Sequence, residues 1–173
     1  KIVTVSGEYE GVNRFDLYAA AALSARQSLP QLGGLESAAG LNFGYTRVFS
    51  NQNNYDAQNT RFNPGYYDYG ELSMGPFAAA RWRKVLSAAL SYDYTLRAYD
   101  HRPAQDEAGL YGARAIRMDT HTLSLSAGYD LTKNLALKIQ SSYRRATSNM
   151  LYESTYSYNY WTAHYFAGLG WTL

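Results

Sequence analysis

The charged segment around His101 holds the densest group of side chains that could do chemistry. Its sequence, DHRPAQDE, places Asp100, Asp106 and Glu107 within six residues of the histidine. Carboxylate oxygens so close together could hold a divalent cation, because hard cations prefer oxygen ligands. The spacing matches no known cation-binding loop, and we interpret the segment as a solvated charged loop that binds no metal.

The other two histidines, His121 and His164, are candidates for acid–base chemistry. The chain has no cysteine, which excludes disulfides, thiolate metal sites and cysteine nucleophiles. What either histidine could do depends on the side chains that share its surface. That in turn depends on the secondary structure.

The last thirteen residues, Trp161 to Leu173, carry the clearest structural signal. Their odd positions are all apolar or aromatic, whereas their even positions are mostly small or polar, which predicts a strand with one apolar face. Such a strand is about 40 Å long, about twice the usual length. A tilted strand needs about nine to eleven residues to cross a bilayer. We therefore predict a transmembrane strand.

The same alternation recurs seven more times along the chain. We predict eight strands in one domain over residues 1–173, and we expect Pro76 to cause a bulge or a local break because proline lacks an amide donor. The predicted strands lie at 3–10, 15–26, 35–46, 71–82, 86–97, 122–131, 135–144 and 161–173.

The connections between these strands differ in length. The predicted links at about 27–34, 83–85 and 131–134 are short, and those at about 50–69, 100–118 and 146–160 are long. Tight turns at one end and long loops at the other are typical of outer-membrane barrels. The pattern favours an all-β, antiparallel up-and-down transmembrane barrel of eight strands, with its tight turns in the periplasm.

Alternation alone does not say whether the apolar side chains face inward or outward. A soluble eight-stranded barrel or sandwich with an apolar interior is the alternative. The length of the strands, the aromatic residues near their ends and the Ala, Gly and Ser of the polar side favour the membrane interpretation. The expected aromatic belt consists of Trp82, Tyr92, Tyr94, Trp161, Tyr165 and Trp171.

The polar side of the predicted strands carries nearly balanced charges. Buried charges are costly unless they are paired, and an eight-stranded barrel is narrow enough for its own side chains to fill. We therefore expect an interior ion-pair network in a closed barrel. Its acids are Glu8, Glu10, Asp16, Glu36, Glu71 and Asp93, and its bases are Arg26, Arg81, Arg97, Lys138 and Arg144.

Composition excludes several classes of protein. The net charge of +2 is too small to indicate a nucleic-acid partner, and no apolar run approaches the roughly twenty residues of a membrane helix. The chain starts at Lys1 rather than Met, so we expect a processed form, an engineered chain or a piece of a longer protein.

The final strand resembles the last strand of bacterial outer-membrane proteins, which is recognised by the barrel-insertion machinery. Gly168, Trp171 and Leu173 occupy the positions of that signal, although Phe166 replaces a polar residue and Leu173 replaces an aromatic one. The resemblance implies an outer-membrane location, with lipids, lipopolysaccharide and the insertion machinery as partners.

A narrower similarity links RFNPGYYDYGELSMGPFAAARW, YRRATSN and GLGWTL to the C-terminal barrels of exopolysaccharide export proteins with tetratricopeptide repeats. Such barrels are larger and secrete cellulose-like polymers. The similarity implies that this chain is about half of such a barrel, next to other barrel or periplasmic subunits.

His121 also resembles one residue of the outer-membrane lipid A deacylases, which carry His and Ser two positions apart on the lipid face. Here Leu123 takes the place of the serine, and Ser124 points to the other side of the predicted strand. The nucleophile is missing, so we expect a barrel that is not an enzyme and has no cofactor. His164 is interpreted as a hydrogen-bonded interior residue.

Three functions remain open at this point: a small closed barrel that acts as a scaffold or adhesion surface, the wall of an export or diffusion pore, and a lipid-modifying enzyme. The first is favoured by the balanced interior charges and by the tyrosines of the outer loops and strand ends, which suit the headgroup layer or a bound partner. These tyrosines are Tyr66, Tyr67, Tyr69, Tyr152, Tyr156, Tyr158 and Tyr160.

Overall fold

Seven long strands form one antiparallel sheet. The computed structural model describes residues 2–3, 9–10, 15–56, 60–154 and 156–171, with residues 2–3, 9–10 and 61 described by their backbone alone. Nothing in this part of the chain is a helix long and apolar enough to cross a membrane. The strands are β1 Ile2–Val3, β2 Tyr9–Glu10, β3 Asp16–Leu32, β4 Leu35–Ser50, β5 Asn54–Asp56, β6 Arg61–Asn63, β7 Tyr69–Trp82, β8 Leu86–Gln105, β9 Tyr111–Asp130, β10 Leu135–Ser148 and β11 Tyr160–Trp171.

The large sheet has the order β11-β10-β9-β8-β7-β4-β3, and each strand is antiparallel to its neighbours. Apart from the small β5–β6 ribbon, the chain therefore moves from one strand to the next along the sheet. The prediction of an all-β antiparallel up-and-down sheet is confirmed. Within the described residues β3 and β11 each pair on one side only, so the predicted closure of the barrel stays a prediction.

The described residues of the predicted first strand 3–10, namely Val3, Tyr9 and Glu10, lie outside the large sheet. Ile2 is paired with Glu10, and Val3 with Tyr9, in a separate two-stranded sheet. Val3 and Tyr9 could not pair with each other within one extended strand, so the prediction of a single strand here was wrong, and the large sheet of the described residues has seven strands instead of eight. Alternation specifies which way side chains point, but it does not specify which strand is the partner.

The predicted two faces of the sheet are confirmed. On the apolar face, Leu23 is directly opposite Phe43, which is opposite Met74. On the polar face, Ser124 lies between Ser91 and Ser142. The apolar face is exposed: Leu23 keeps 72% of its surface accessible.

Tight turns lie at one end of the sheet, as predicted. Arg83 and Lys84 have φ of 49° and 59°, and Gly33 and Gly34 have φ of 56° and 82°. Two consecutive residues with positive φ form the turn whose twist matches a two-residue hairpin. The first link is shorter than the predicted 27–34, because β3 continues to Leu32. Its Pro30 is tolerated because β3 is an edge strand of the sheet.

Long connections lie at the opposite end, but one is much shorter than predicted. The polar stretch 100–118 was expected to be a loop, whereas β8 continues to Gln105 and β9 begins at Tyr111. A register shift between Ala98 and Pro103 lets the two strands keep pairing. Polar side chains do not oppose strand pairing, so the composition of this stretch was a poor guide to its structure.

Pro76 causes a local break without a bulge. The ladder between β7 and β8 is interrupted between the pairs Met74–Tyr94 and Phe77–Ser91, and the register is the same on both sides of the gap. On its other side, Pro76 stays paired with Leu41 of β4. The missing amide thus interrupts one ladder and leaves the sheet aligned.

Candidate functional site

The centre of the polar face is a hollow lined by hydroxyl groups. Phe77, Ser91, Ser124, Ser142 and His164 form one row of directly paired residues from β7 to β11. The next row adds Ser126, Gln140 and Phe166, and the hollow between the two phenylalanines has a volume of about 360 Å³. Its floor carries hydrogen-bonding groups without formal charge, apart from the titratable His164.

The charged residues of the polar face are concentrated toward its two ends. At the tight-turn end, Arg26, Glu36 and Arg81 line a hollow of about 580 Å³. At the long-loop end, a second hollow of about 440 Å³ is lined by both signs of charge and by two tyrosines. Its charged and aromatic residues are Glu71, Asp93, Arg97, Arg144, Tyr156 and Tyr160.

Within the described residues, one ion pair joins two members of the predicted charge network. Arg97 donates from Nε to Glu71 Oε2 at 2.7 Å, and its guanidinium lies 4.5 Å from the ring centre of Tyr69. Arg81 lies instead against Asp130, at 3.5 Å, and donates to the Lys84 carbonyl at 3.0 Å.

Two other members of the predicted network form hydrogen bonds with hydroxyl side chains. Asp93 accepts from Ser91 at 3.4 Å, and Arg144 donates to Thr122 at 3.4 Å. Lys138 lies beside Gly170 in a small hollow at the tight-turn end. Asp16 begins β3 opposite Ser50. Of the remaining acids, Glu8 lies outside the described residues, and Glu10 is described only as backbone of β2.

The polar face is not filled by its own side chains. Phe166 and Tyr18, both on this face, remain 59% and 62% exposed. The hydrogen bonds and ion pairs made by Ser24, Arg81, Ser87, Arg97 and Arg144 all join strands one or two places apart in the sheet. Within the described residues the polar face is therefore only partly covered, and the packed interior predicted for a narrow barrel stays a prediction.

The long-loop end has a small packed core that sequence analysis missed. Ala104, Ile116, Met150 and Tyr158 are buried together, with Tyr99 and Met118 against them. The register shift before Pro103 changes the side-chain pattern of β8, so that side chains beyond it join this cluster. The connection between β10 and β11 is thereby packed against the ends of β8 and β9.

Arg102 contacts tyrosines from three segments at the long-loop end of the sheet: the connection before β7, β8 itself and the connection between β10 and β11. Its guanidinium carbon lies 5.1, 5.3 and 5.8 Å from the ring centres of Tyr66, Tyr99 and Tyr158, and Nη2 donates to the Tyr158 hydroxyl at 2.6 Å. Burial raises the pKa of that tyrosine, although the arginine opposes the rise. The sequence alone shows an arginine in a tyrosine-rich chain, and this does not predict which tyrosines the arginine contacts.

The predicted aromatic belt lies on the apolar face. Trp82 and Trp171 are at the tight-turn end, where the Arg83 guanidinium lies 4.7 Å from the Trp82 ring. Trp161 is the second residue of β11, at the other end, and its ring stacks on that of Tyr143 with their centres 6.3 Å apart. The remaining predicted members are Tyr92, Tyr94 and Tyr165, of which Tyr165 is 83% exposed.

His121 belongs to this face and contacts two of the belt tyrosines. Its Nδ1 lies 2.5 Å from the Tyr92 hydroxyl, and its ring centre lies 5.2 Å from that of Tyr94. Ser124 lies on the opposite face, in the row of serines described above. The pairing therefore separates this histidine from the serine that was considered as a nucleophile.

Two of the acids near His101, Asp100 and Asp106, have structural partners. Asp100 forms an ion pair with Arg47, and Asp106 accepts hydrogen bonds from the backbone of Ala108 and Leu110 at 3.0 and 2.9 Å. Among the described residues there is no group of three or more side chains that could hold a metal ion.

The loop tyrosines pack against one another at the long-loop end. Tyr66 and Tyr67 meet edge to face at 5.1 Å, as do Tyr156 and Tyr158 at 4.9 Å. Tyr69 and Tyr160 begin β7 and β11, and Tyr152 remains exposed.

The residues of the predicted insertion signal lie at the free edge of the sheet. Gly168 is paired with Lys138, and the ring of Phe166 approaches the position that a side chain would take at this glycine, to 2.7 Å. Trp171 ends the described part of β11, and Leu173 lies outside the described residues. Comparison of the chain with protein-family models, curated proteins and solved structures finds no match.

Proposed function

We propose that the chain forms part of the wall of a pore in a bacterial outer membrane, with its apolar face toward lipid and its polar face toward water. The observation that carries this proposal is the exposure of the apolar face along most of its length, with Leu23, Leu125 and Leu169 at 72%, 51% and 67%. Covering one such side chain contributes about 1.5–3 kcal/mol. An exposed apolar face of this size is unfavourable in water, and we therefore expect another apolar surface or phase to cover it.

Lipid is the cover that agrees with the rest of the sheet. The strands are twelve to twenty residues long, which exceeds the roughly nine to eleven that a tilted strand needs to cross a bilayer. Tryptophans flank the apolar face at both ends, as they do where barrel strands meet the two membrane interfaces. Tight turns at one end and longer connections at the other agree with the same proposal.

A wide pore is supported over the small closed barrel favoured by the sequence. An eight-stranded barrel has an interior that its side chains fill. Here Ser87 and Gln140, which lie on inner strands, are exposed on the polar face. Two of the five predicted bases, Arg81 and Arg97, have an acid partner within the described residues. This geometry supports the interpretation as a pore wall, the second of the three functions left open by the sequence.

The centre of the polar face favours an uncharged, hydroxyl-rich cargo. Ser91, Ser124, Ser142 and Gln140 present donors and acceptors along a path flanked by Phe77 and Phe166. Aromatic rings and neutral hydrogen-bonding groups suit sugar rings better than ions. A polysaccharide of the exported type is accordingly the proposed cargo, and no catalytic step is proposed.

A pair of adjacent substitutions tests which face meets lipid. Leu125→Arg places a charge on the apolar face, where arginine near the middle of a bilayer costs about 2–4 kcal/mol. Ser124→Arg, one residue away, places the same charge on the polar face. We expect Leu125→Arg to abolish recovery of the protein from the outer-membrane fraction and Ser124→Arg to leave it unchanged. Equal recovery of both variants, or a monodisperse protein without detergent, would reject the proposal.

A conductance measurement tests the pore itself. The assembly extracted from its own membrane should give large, stable current steps in a planar lipid bilayer, and a soluble neutral polysaccharide should reduce them. A membrane-integrated assembly that passes no current would instead support the closed scaffold.

A further inference from the structure

The two free edges of the sheet run in the same direction. Each of the seven strands is antiparallel to its neighbours, so the first, third, fifth and seventh are parallel to one another. The first is β3 and the seventh is β11. If the sheet closed on itself, these two strands would form a parallel pair. Bacterial outer-membrane barrels, in contrast, have even numbers of antiparallel strands.

We infer that the wall is completed by a second β-sheet segment with an odd number of strands, at least three, which is not another copy of this chain. The inference rests on the proposed membrane wall, because only a membrane requires both edges to be closed. An odd number added to seven is even, so both junctions, with β3 and with β11, become antiparallel.

A second copy of the chain does not satisfy this requirement. Two copies inserted in the same orientation would join β11 of one to β3 of the other, and both junctions would be parallel. The copies could pair in antiparallel fashion only if one were inverted in the membrane. The tight turns and the long connections would then lie on opposite sides of the membrane in the two copies, although a barrel strand enters from one side.

A single added strand does not satisfy it either. It would give eight strands, whose interior is filled by side chains and leaves no path for the proposed cargo. The two short strands nearest the amino terminus, β1 and β2, already pair with each other. Three or more additional strands give the wider circumference that an open polar face requires.

The edges also indicate what the adjoining strands look like. On its paired side, β3 places Ala21 opposite Tyr45 and Ala25 opposite Leu41, so small residues of β3 meet large ones. The adjoining strand should likewise carry large apolar residues on its lipid side beside Ala19 and Ala21. Next to β11 it should continue the apolar face of Tyr165 and Leu169, both of which are exposed.

Two measurements on the purified 173-residue chain in detergent micelles test the inference. The first is a disulfide scan that combines cysteine at Ala20, Ala22 or Ser24 with cysteine at Thr162, His164 or Phe166. Two positive controls show that paired strands crosslink: Ser24→Cys with Asn42→Cys, whose side chains touch at 2.7 Å, and Ser142→Cys with His164→Cys, which are directly opposite. We expect both controls to crosslink and no β3–β11 combination to do so, within a chain or between chains.

The second measurement is amide hydrogen exchange. Amides on the open sides of β3 and β11 should exchange at least roughly tenfold faster than those in the middle of β8 and β9, because edge amides lack partners. Crosslinks between β3 and β11 within one chain would show that the sheet closes on itself, and crosslinks between chains would show that a second copy completes the wall. Slow amide exchange along the open sides of β3 and β11 would indicate one of these two arrangements. Each of these outcomes overturns the inference while leaving the membrane location intact, whereas equal recovery of Leu125→Arg and Ser124→Arg would remove the membrane location itself.

Discussion

Arg97 and Glu71 lie directly opposite each other on β8 and β7, with Arg97 Nη2 2.6 Å from Glu71 Oε2. The pair is partly exposed, at 36% and 25% of its side-chain surface, and the arginine also covers the ring of Tyr69. The ion pair links β7 and β8 where the polar face reaches the long connections of the sheet. The hollow beside it is bordered by Arg144 and two tyrosines.

Removal of this ion pair should lower the stability of the sheet. We expect Arg97→Ala to reduce the free energy of unfolding by about 1 kcal/mol, because solvent screens a partly exposed pair. The midpoint of thermal unfolding in detergent measures the change. Arg26→Ala serves as the control, since Arg26 is exposed on the same face and forms no ion pair within the described residues. Equal midpoints for the two variants would show that the pair contributes nothing.

A side chain at Gly40 should disturb the sheet. A Cβ there would lie 2.6 Å from Phe77 Cε1 and would also collide with the Ala25 carbonyl. Over-packing of this kind costs about 1–3 kcal/mol, so Gly40→Ala should lower the denaturant midpoint. Gly112→Ala is the matched control, because a Cβ at Gly112 would have its nearest neighbour at 3.4 Å. No difference between the two variants would mean that the ring of Phe77 does not lie over Gly40.

Replacement of Arg102 should loosen the connection between β10 and β11, which contains Tyr158. We expect Arg102→Gln to speed protease cleavage within residues 149–159, because cation–π contacts of a desolvated arginine are worth about 2 kcal/mol. Arg114→Gln, at an exposed position nearby, should leave the cleavage rate unchanged. A rate unaffected by Arg102→Gln would show that the tyrosines hold the loop without the arginine.

The loop between β10 and β11 should lose order at acidic pH. Hydrogen bonds from Asn159 and from the Tyr158 amide lower the pKa of Glu153 in the folded protein. Its contribution to loop stability is therefore present above the unfolded pKa and is lost as the pH falls through the lower folded pKa. The protection of the Tyr158 and Asn159 amides, measured as the exchange rate relative to the intrinsic rate at each pH, should fall over that range. Glu153→Gln should remove the dependence, and an unchanged dependence in this variant would assign it to another group.

The orientation of the wall can be tested by labelling. A cysteine at Glu107, in the connection after β8, should react with a membrane-impermeant maleimide on intact cells. A cysteine at Lys133, in the tight turn before β10, should react only after the outer membrane is permeabilised. The reverse pattern would invert the orientation expected from the loop lengths.

The sequence was enough to predict which face of the sheet each side chain occupies, because the alternation of side chains is a local property of a strand. The period of two residues along Trp161–Trp171 assigns every side chain of β11 to a face, whatever its partner. Arg83 and Lys84 between two alternating runs were enough to locate a tight turn. The polar-face positions of Arg97 and Glu71 followed in the same way.

Pairing was decided by the tertiary structure, because it depends on residues far apart in the chain. Residues 3–10 alternate as well as any other segment. Val3 nevertheless pairs with Tyr9 in a separate small sheet, and it does not pair with a strand of the large sheet. The register shift before Pro103 extends β8, and the fold surrounds Arg102 with tyrosines from three separate segments. Sequence determined which face each side chain occupies, whereas the register across the sheet determined that Arg97 meets Glu71 and Arg81 meets Asp130. Alternation is fixed by the geometry of a single strand, but register and edge partners depend on the competition among all strands for the same hydrogen bonds.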